Sequence, residues 1–138
     1  MTGRYLLDTN ILSDVIRNPR GPSARRIRQV GVSRVCTSVI VAAELRYGIA
    51  KRRTGNLTLR VSETLARLDV LALEAPIDSI YAELRVQLER TGNLIGPNDL
   101  LIAAQVLSLG FVLVTDNERE FSRVPGLPIE NWLRPSPS

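Results

Sequence analysis

Short apolar runs alternate along this chain with longer amphipathic stretches. Tyr5, Leu6 and Leu7 form the first run, and it ends on Asp8, Thr9 and Asn10. This reads as a short buried strand leading into a carboxylate, with the Thr/Asn pair able to cap a helix over 11–17. A turn rich in Pro and Gly follows at 18–22, then a helix over 23–30 that Gly31 stops. Residues 34–37 read as a second strand. Ser38 then caps a helix over 39–53, which is apolar on nearly every side of its first three turns. Residues 56–68 carry an imperfect helical pattern and 70–73 a third strand. Pro76 opens a helix running to about Thr91, with Ile77, Ile80, Tyr81, Leu84 and Leu88 on one stripe and Gly92 as its stop. The stretch 96–107 reads as a buried helix ended near Gly110, residues 111–114 form a fourth strand, and 127–132 a short edge strand whose proline suits an edge better than a centre. Strands alternating with helices predict an α/β fold with a parallel sheet.

Three composition facts narrow the chemistry. Apolar residues make up 44% of the 138, which points to one globular domain over 1–134 with a frayed tail at 135–138. No run approaches a membrane span and the N-terminus lacks a signal-peptide layout, so the expected location is the cytoplasm. The single cysteine, Cys36, allows no internal disulfide, and its apolar surroundings predict a core position. Histidine is absent, which removes Ser-His-Asp and Cys-His catalysis and the usual nitrogen ligands of zinc, copper and iron. Any enzymatic chemistry must therefore rest on carboxylates, whose oxygens suit Mg²⁺ or Mn²⁺.

The charge is unevenly spread. Residues 1–60 carry twelve basic side chains against Asp8, Asp14 and Glu44, whereas the remainder carries six against eleven acids. A basic half suits an anionic partner, nucleic acid first, and Arg25, Arg26 and Arg28 are its candidate RNA contacts. The alternative is a solvated arginine-rich surface, since 17 of the 18 cations are arginine.

Asp8 falls at the carboxyl end of a strand, where open α/β sheets bind ligands, although a helix-capping role explains it equally. Glu44 lies inside an apolar helical run and needs a partner there, an arginine or a cation. Asp99 sits in the first turn of a helix, where the dipole alone would favour a carboxylate. Asp116 follows the fourth strand and repeats the opening layout, with Glu120 one turn further on. Gathered at one sheet edge, such acids repel one another unless a cation neutralises them.

Taken in order, Leu6 to Asn10, Ala43 to Gly48, Asn98 to Ala104, and Val114 to Asn117 with Glu120 and Phe121 resemble the acidic motifs of PIN-domain ribonucleases, above all the VapC toxins of bacterial toxin-antitoxin pairs. Val124 to Leu127 with Glu130, Asn131 and Trp132 is similar to that group's C-terminal ending. The resemblance covers about the whole chain. It implies a three-layer fold with a central five-stranded parallel sheet in the order 3-2-1-4-5 and helices on both faces. It also implies Mg²⁺- or Mn²⁺-dependent endonucleolytic cleavage of single-stranded or loop RNA. Homodimerisation and neutralisation by a cognate antitoxin, in a heterotetramer or larger assembly, come with it.

The family's metal and catalytic positions fall on Asp8, Glu44 and Asp99. The fourth is a departure, because the family's Thr-x-Asp here reads Thr115, Asp116, Asn117. The shorter, better-fixed Asp116 is the expected fourth ligand, with Glu120 a supporting or surface residue paired with Arg123. Thr9, Asn10, Thr115 and Asn117 are further supporting positions. Two other functions compete: phosphoryl transfer through an aspartyl-phosphate on Asp8, for which no accompanying motif exists, and a catalytically silent module that binds RNA or protein.

Overall fold

The computed structural model describes residues 3–52 and 55–134. Five strands, β1 (Tyr5–Leu7), β2 (Val35–Ser38), β3 (Asp69–Leu71), β4 (Val112–Val114) and β5 (Ile129–Glu130), form one sheet. All four pairings are parallel and the order is β3-β2-β1-β4-β5, as the resemblance implied. Seven α-helices accompany it among the described residues: α1 (Thr9–Arg17), α2 (Pro22–Val30), α3 (Val39–Arg52), α4 (Gly55–Arg67), α5 (Ile77–Arg90), α6 (Pro97–Leu109) and α7 (Glu118–Phe121). Each predicted strand and helix is present, with ends displaced by a residue or two; β5 is shorter, keeping only the middle of the apolar run. The end of the predicted third helix at Arg53 and the predicted tail at 135–138 lie outside the described residues.

Successive strand residues point to opposite faces, so their burial reports on both layers. Leu6 and Leu7 are both fully buried, and so are Cys36, Thr37 and Ser38, which requires helices on both faces. Such double burial explains why the strands read as continuous apolar runs rather than alternating ones. Cys36 is core, as expected, and burial pushes its thiol up to about 11, which leaves it chemically quiet. Phe121, Leu100, Ile102, Val106 and Leu113 extend the core between α6, α7 and the sheet. Gly110 closes α6 at φ 68°, a left-handed position where a side chain would be strained. No helix among the described residues is long and apolar enough to cross a membrane.

Register sets the level of the site. Leu7 pairs with Thr37 on one side and Val114 on the other, so the residues that follow them, Asp8, Ser38 and Thr115, stand at the same height. Asp8 N–H donates to the Val114 carbonyl at 2.9 Å, holding this edge closed up to the point where the side chains diverge.

Candidate active site

Asp8 caps a helix and also feels the charges of neighbouring acids. α1 begins at Thr9, two residues earlier than the Thr/Asn cap predicted, so Asp8 itself occupies the capping position. Its Oδ1 accepts from the Thr9 amide at 2.8 Å, and its Oδ2 accepts from the Thr115 hydroxyl at 2.7 Å. Asp8 is only 4% exposed. Burial raises its pKa; the bonds from Thr115 and Thr9 pull the other way, and the charges of Glu44 and Glu120 add to the rise. Thr115 in turn accepts from the Asn117 amide at 3.0 Å, which fixes its hydroxyl hydrogen toward Asp8.

Glu44, half-buried on α3, accepts from the Thr9 hydroxyl at 2.5 Å. The compensation its position demanded thus comes from α1, through a residue adjacent to Asp8. Ser38 performs the capping role expected of it, accepting from the Ile40 amide at 3.1 Å.

Asp99 stands in the first turn of α6. Burial, then the charges of Glu120 and Asp8, the hydrogen bond to Glu120 and the charge of Glu44 push its pKa up to about 7. Asp99 and Glu120 oppose one another, the first shifted up and the second down. Glu120 stays the ionised partner, because its carboxylate accepts from the Gly96 amide at 2.7 Å and from the Asn117 side chain at 3.0 Å; the Gly96 bond is the chief cause of its lowered pKa. At Gly96 the backbone passes close to both carboxylates: a Cβ there would lie 3.5 Å from Glu120 Oε1 and 4.0 Å from Asp99 Oδ2.

Asp116 and Glu120 are placed differently. Asp116 is exposed, its amide donates to Asn10 Oδ1 at 3.0 Å, and its carboxylate accepts from Asn131 at 2.9 Å. Asn131 also donates to Glu118 at 3.0 Å, so Asp116 belongs to a polar tie between β4 and the C-terminal segment. Glu120, not Asp116, is the acid that acts on Asp8 and Asp99. Arg123 makes no close ion pair with Glu120 among the described residues, donating instead to the Leu94 carbonyl at 3.2 Å, although its charge helps to lower the Glu120 pKa. Asn117 stands at the start of α7 without a side-chain capping bond, and gives its amide to Glu120 instead. Arg25, Arg26 and Arg28 are exposed on α2; Arg26 lies over the Trp132 ring at 5.9 Å and Arg28 donates to the Pro19 carbonyl at 3.3 Å.

Chemically, the edge gathers Asp8, Glu44, Asp99 and Glu120, acids whose charges oppose one another. The donor set is all oxygen, which suits Mg²⁺ or Mn²⁺ better than zinc or copper. Among the described residues no three acidic side chains converge as a ready-made metal cage. An open, water-rich arrangement is nevertheless the usual one for Mg²⁺, which takes one or two carboxylates and keeps several waters.

The PIN-domain family matches residues 5–127, and the parallel 3-2-1-4-5 sheet with acids collected at its carboxyl edge agrees with that match. The VapC2 ribonuclease of Rickettsia felis is 36% identical over 130 residues, covering 93% of this chain and 97% of that one. The tRNA(fMet)-specific endonuclease VapC of Shigella flexneri is also 36% identical over 130 residues, covering 94% and 98%. In three dimensions the chain is similar to the DNA-bound VapBC structure from Salmonella typhimurium, with a TM-score of 0.84, 34% identity, and coverage of 95% of this chain and 99% of that one. The chain belongs to the PIN-domain family and, within it, to the VapC ribonucleases.

Proposed function

We propose that this chain is a Mg²⁺- or Mn²⁺-dependent endoribonuclease that cleaves single-stranded or loop RNA, acting in the cytoplasm as a toxin neutralised by a cognate antitoxin. The observation that carries the reading is the sheet edge that brings Asp8, Glu44, Asp99 and Glu120 together, where burial, then the charges of the neighbouring acids, push Asp99 up to about 7. Such an arrangement destabilises the empty fold and suits it to a cation. Asp8 and Asp99 would hold the ion, with Glu44 and Glu120 beside it. When bound, the ion would supply Lewis acidity toward a phosphodiester and lower the pKa of the attacking water.

The remaining work falls to the chain. Thr115 and the Thr9 amide fix both Asp8 oxygens, so the carboxylate cannot rotate. Thr9 orients Glu44, leaving its second oxygen to hold or accept a proton from water. The Gly96 amide and the Asn117 side chain hold the Glu120 carboxylate in place beside Asp99.

An antitoxin partner is supported by the Salmonella relative, solved as a VapBC complex on DNA. The acidic edge offers such a partner a place for an arginine to substitute for the cation. We further propose a homodimer, and a heterotetramer or larger assembly with the antitoxin. The functional test is incubation of unstructured RNA with wild type and Asp8→Asn, in Mg²⁺ and in chelator. Cleavage by wild type in Mg²⁺ alone is expected; binding without turnover would select the silent module, and covalent phosphate on Asp8 the phosphoryl-transfer reading.

A further inference from the structure

A groove of about 600 Å³ opens beside the acidic edge, between α1, α3 and α4. One wall is the α1 stripe Thr9, Ser13 and Arg17; the other is the α3 stripe Glu44, Tyr47, Gly48 and Lys51. These spacings of three and four place each set on one helix face. The two walls meet at the hydrogen bond between Thr9 and Glu44, so the groove starts at the acids. It ends two turns away at cations: Arg17, Lys51 and Arg52 all line it, all are exposed, and none is in an ion pair among the described residues.

Two features mark the middle of the groove. Tyr47 is 67% exposed, an unusual setting for a large ring, and the Lys51 ammonium lies 6.0 Å from its centroid. Beside it Gly48 sits inside α3, where glycine is less favourable than alanine, although a Cβ would meet nothing within 4 Å. Neither a tight turn nor a close backbone contact calls for glycine there. What the missing side chain does is keep the floor next to Tyr47 open.

We infer that this groove is a nucleotide subsite: the RNA strand leaving the scissile phosphate runs along it, one base stacking on Tyr47 and the following phosphates meeting Lys51, Arg52 and Arg17. The inference rests on the endoribonuclease reading and names where that enzyme holds its substrate. Charge decides the occupant. A strand crossing from a cation-loaded acidic edge to a cationic rim presents phosphate at both ends and a flat base between, which matches the groove in order. Stacking on an aromatic ring tolerates any base, so Tyr47 contributes affinity and position rather than sequence preference.

The test measures kcat and KM for cleavage of an unstructured RNA oligonucleotide in Mg²⁺, and the Kd of the same fluorescein-labelled oligonucleotide in the non-cleaving Asp99→Asn background. Tyr47→Leu should raise KM and Kd by about ten-fold, within the range of one lost stack, with kcat little changed, while Tyr47→Phe should behave as wild type. Gly48→Leu, which fills the floor without a backbone clash, should raise KM similarly. Replacing Arg17 and Lys51 together by Gln should flatten the salt dependence of Kd, whereas Arg90→Gln on α5 should not. Unchanged KM and Kd in Tyr47→Leu and Gly48→Leu, with wild type cleaving normally, would overturn the subsite and leave the ribonuclease reading intact. Weakened capture of a protein partner with unchanged RNA affinity would assign the groove to that partner instead. Failure of wild type to cleave any RNA would strike the parent reading first.

Discussion

Replacing Asp99 by Asn should make the metal-free protein more stable while removing its activity. The Asp99 carboxyl is raised from 3.8 to about 7, so the folded chain binds this proton more tightly than the unfolded chain does. The resulting stability is fully present below about pH 4 and is lost as pH rises through 7. Roughly three pKa units at 1.36 kcal/mol each set a ceiling of about 4 kcal/mol. Asp99 is only half-buried, and solvent screening cuts this to roughly 1–2 kcal/mol. Asparagine keeps the shape, donates to Glu120 as the protonated Asp99 does, and carries no charge at any pH. In chelator at pH 8 the variant should therefore melt above wild type, by about 3–8 °C for a chain of this size. The advantage should vanish near pH 4. Thermal unfolding followed by circular dichroism at the two pH values makes the comparison, with RNA cleavage in Mg²⁺ measured on the same samples. A variant that melts below wild type at pH 8 in chelator, or that still cleaves at the wild-type rate, would refute the reasoning: the carboxylate would then be a helix-dipole partner and not a member of a repelling cluster.

Glu120→Gln should reduce cleavage more than Asp116→Asn, because Glu120 faces Asp8 and Asp99 whereas Asp116 is tied to Asn131; a larger loss in the Asp116 variant in a steady-state assay would restore that residue to the site. Thr115→Val removes the hydroxyl bond that holds the Asp8 pKa down, so the acidic limb of the pH-rate profile should move to higher pH; an unmoved limb would show that Thr115 has no electrostatic part. Phe121→Ala, at a fully buried ring, should cost about 3–5 kcal/mol in denaturant unfolding, and a loss under 1 kcal/mol would mean that α7 is not anchored by its core contact.

The sheet was legible because its strands are buried on both faces, which writes them as unbroken apolar runs at Leu6–Leu7, Cys36 and Leu113–Val114. Asp8 and Asp99 were legible for a related reason: each sits where an apolar run meets an element boundary. Glu44 stood out as a charge in an apolar helix, but nothing local announced that Thr9 would satisfy it, 35 positions away. The choice between Asp116 and Glu120 was harder still. Asp116 is drawn off by Asn10 and Asn131 and Glu120 is drawn in by the Gly96 amide, contacts that span 106, 15 and 24 positions. Sequence spacing shows which acids can reach an edge. Which of them turns toward it depends on donors supplied by distant segments. Tyr47 was hidden in the same way, since a tyrosine in an apolar helix reads as core, whereas the fold leaves it exposed on a groove wall.

Mn²⁺ binding by the purified chain, followed calorimetrically for wild type, Asp8→Asn and Asp99→Asn, tests the central claim most directly, because it needs no knowledge of the RNA target. The account predicts saturable binding by wild type, weakened about ten-fold or more in each variant as a charged ligand is lost. Equal affinity in all three proteins, or no binding by wild type, would contradict the assignment of the carboxylate edge as a cation site.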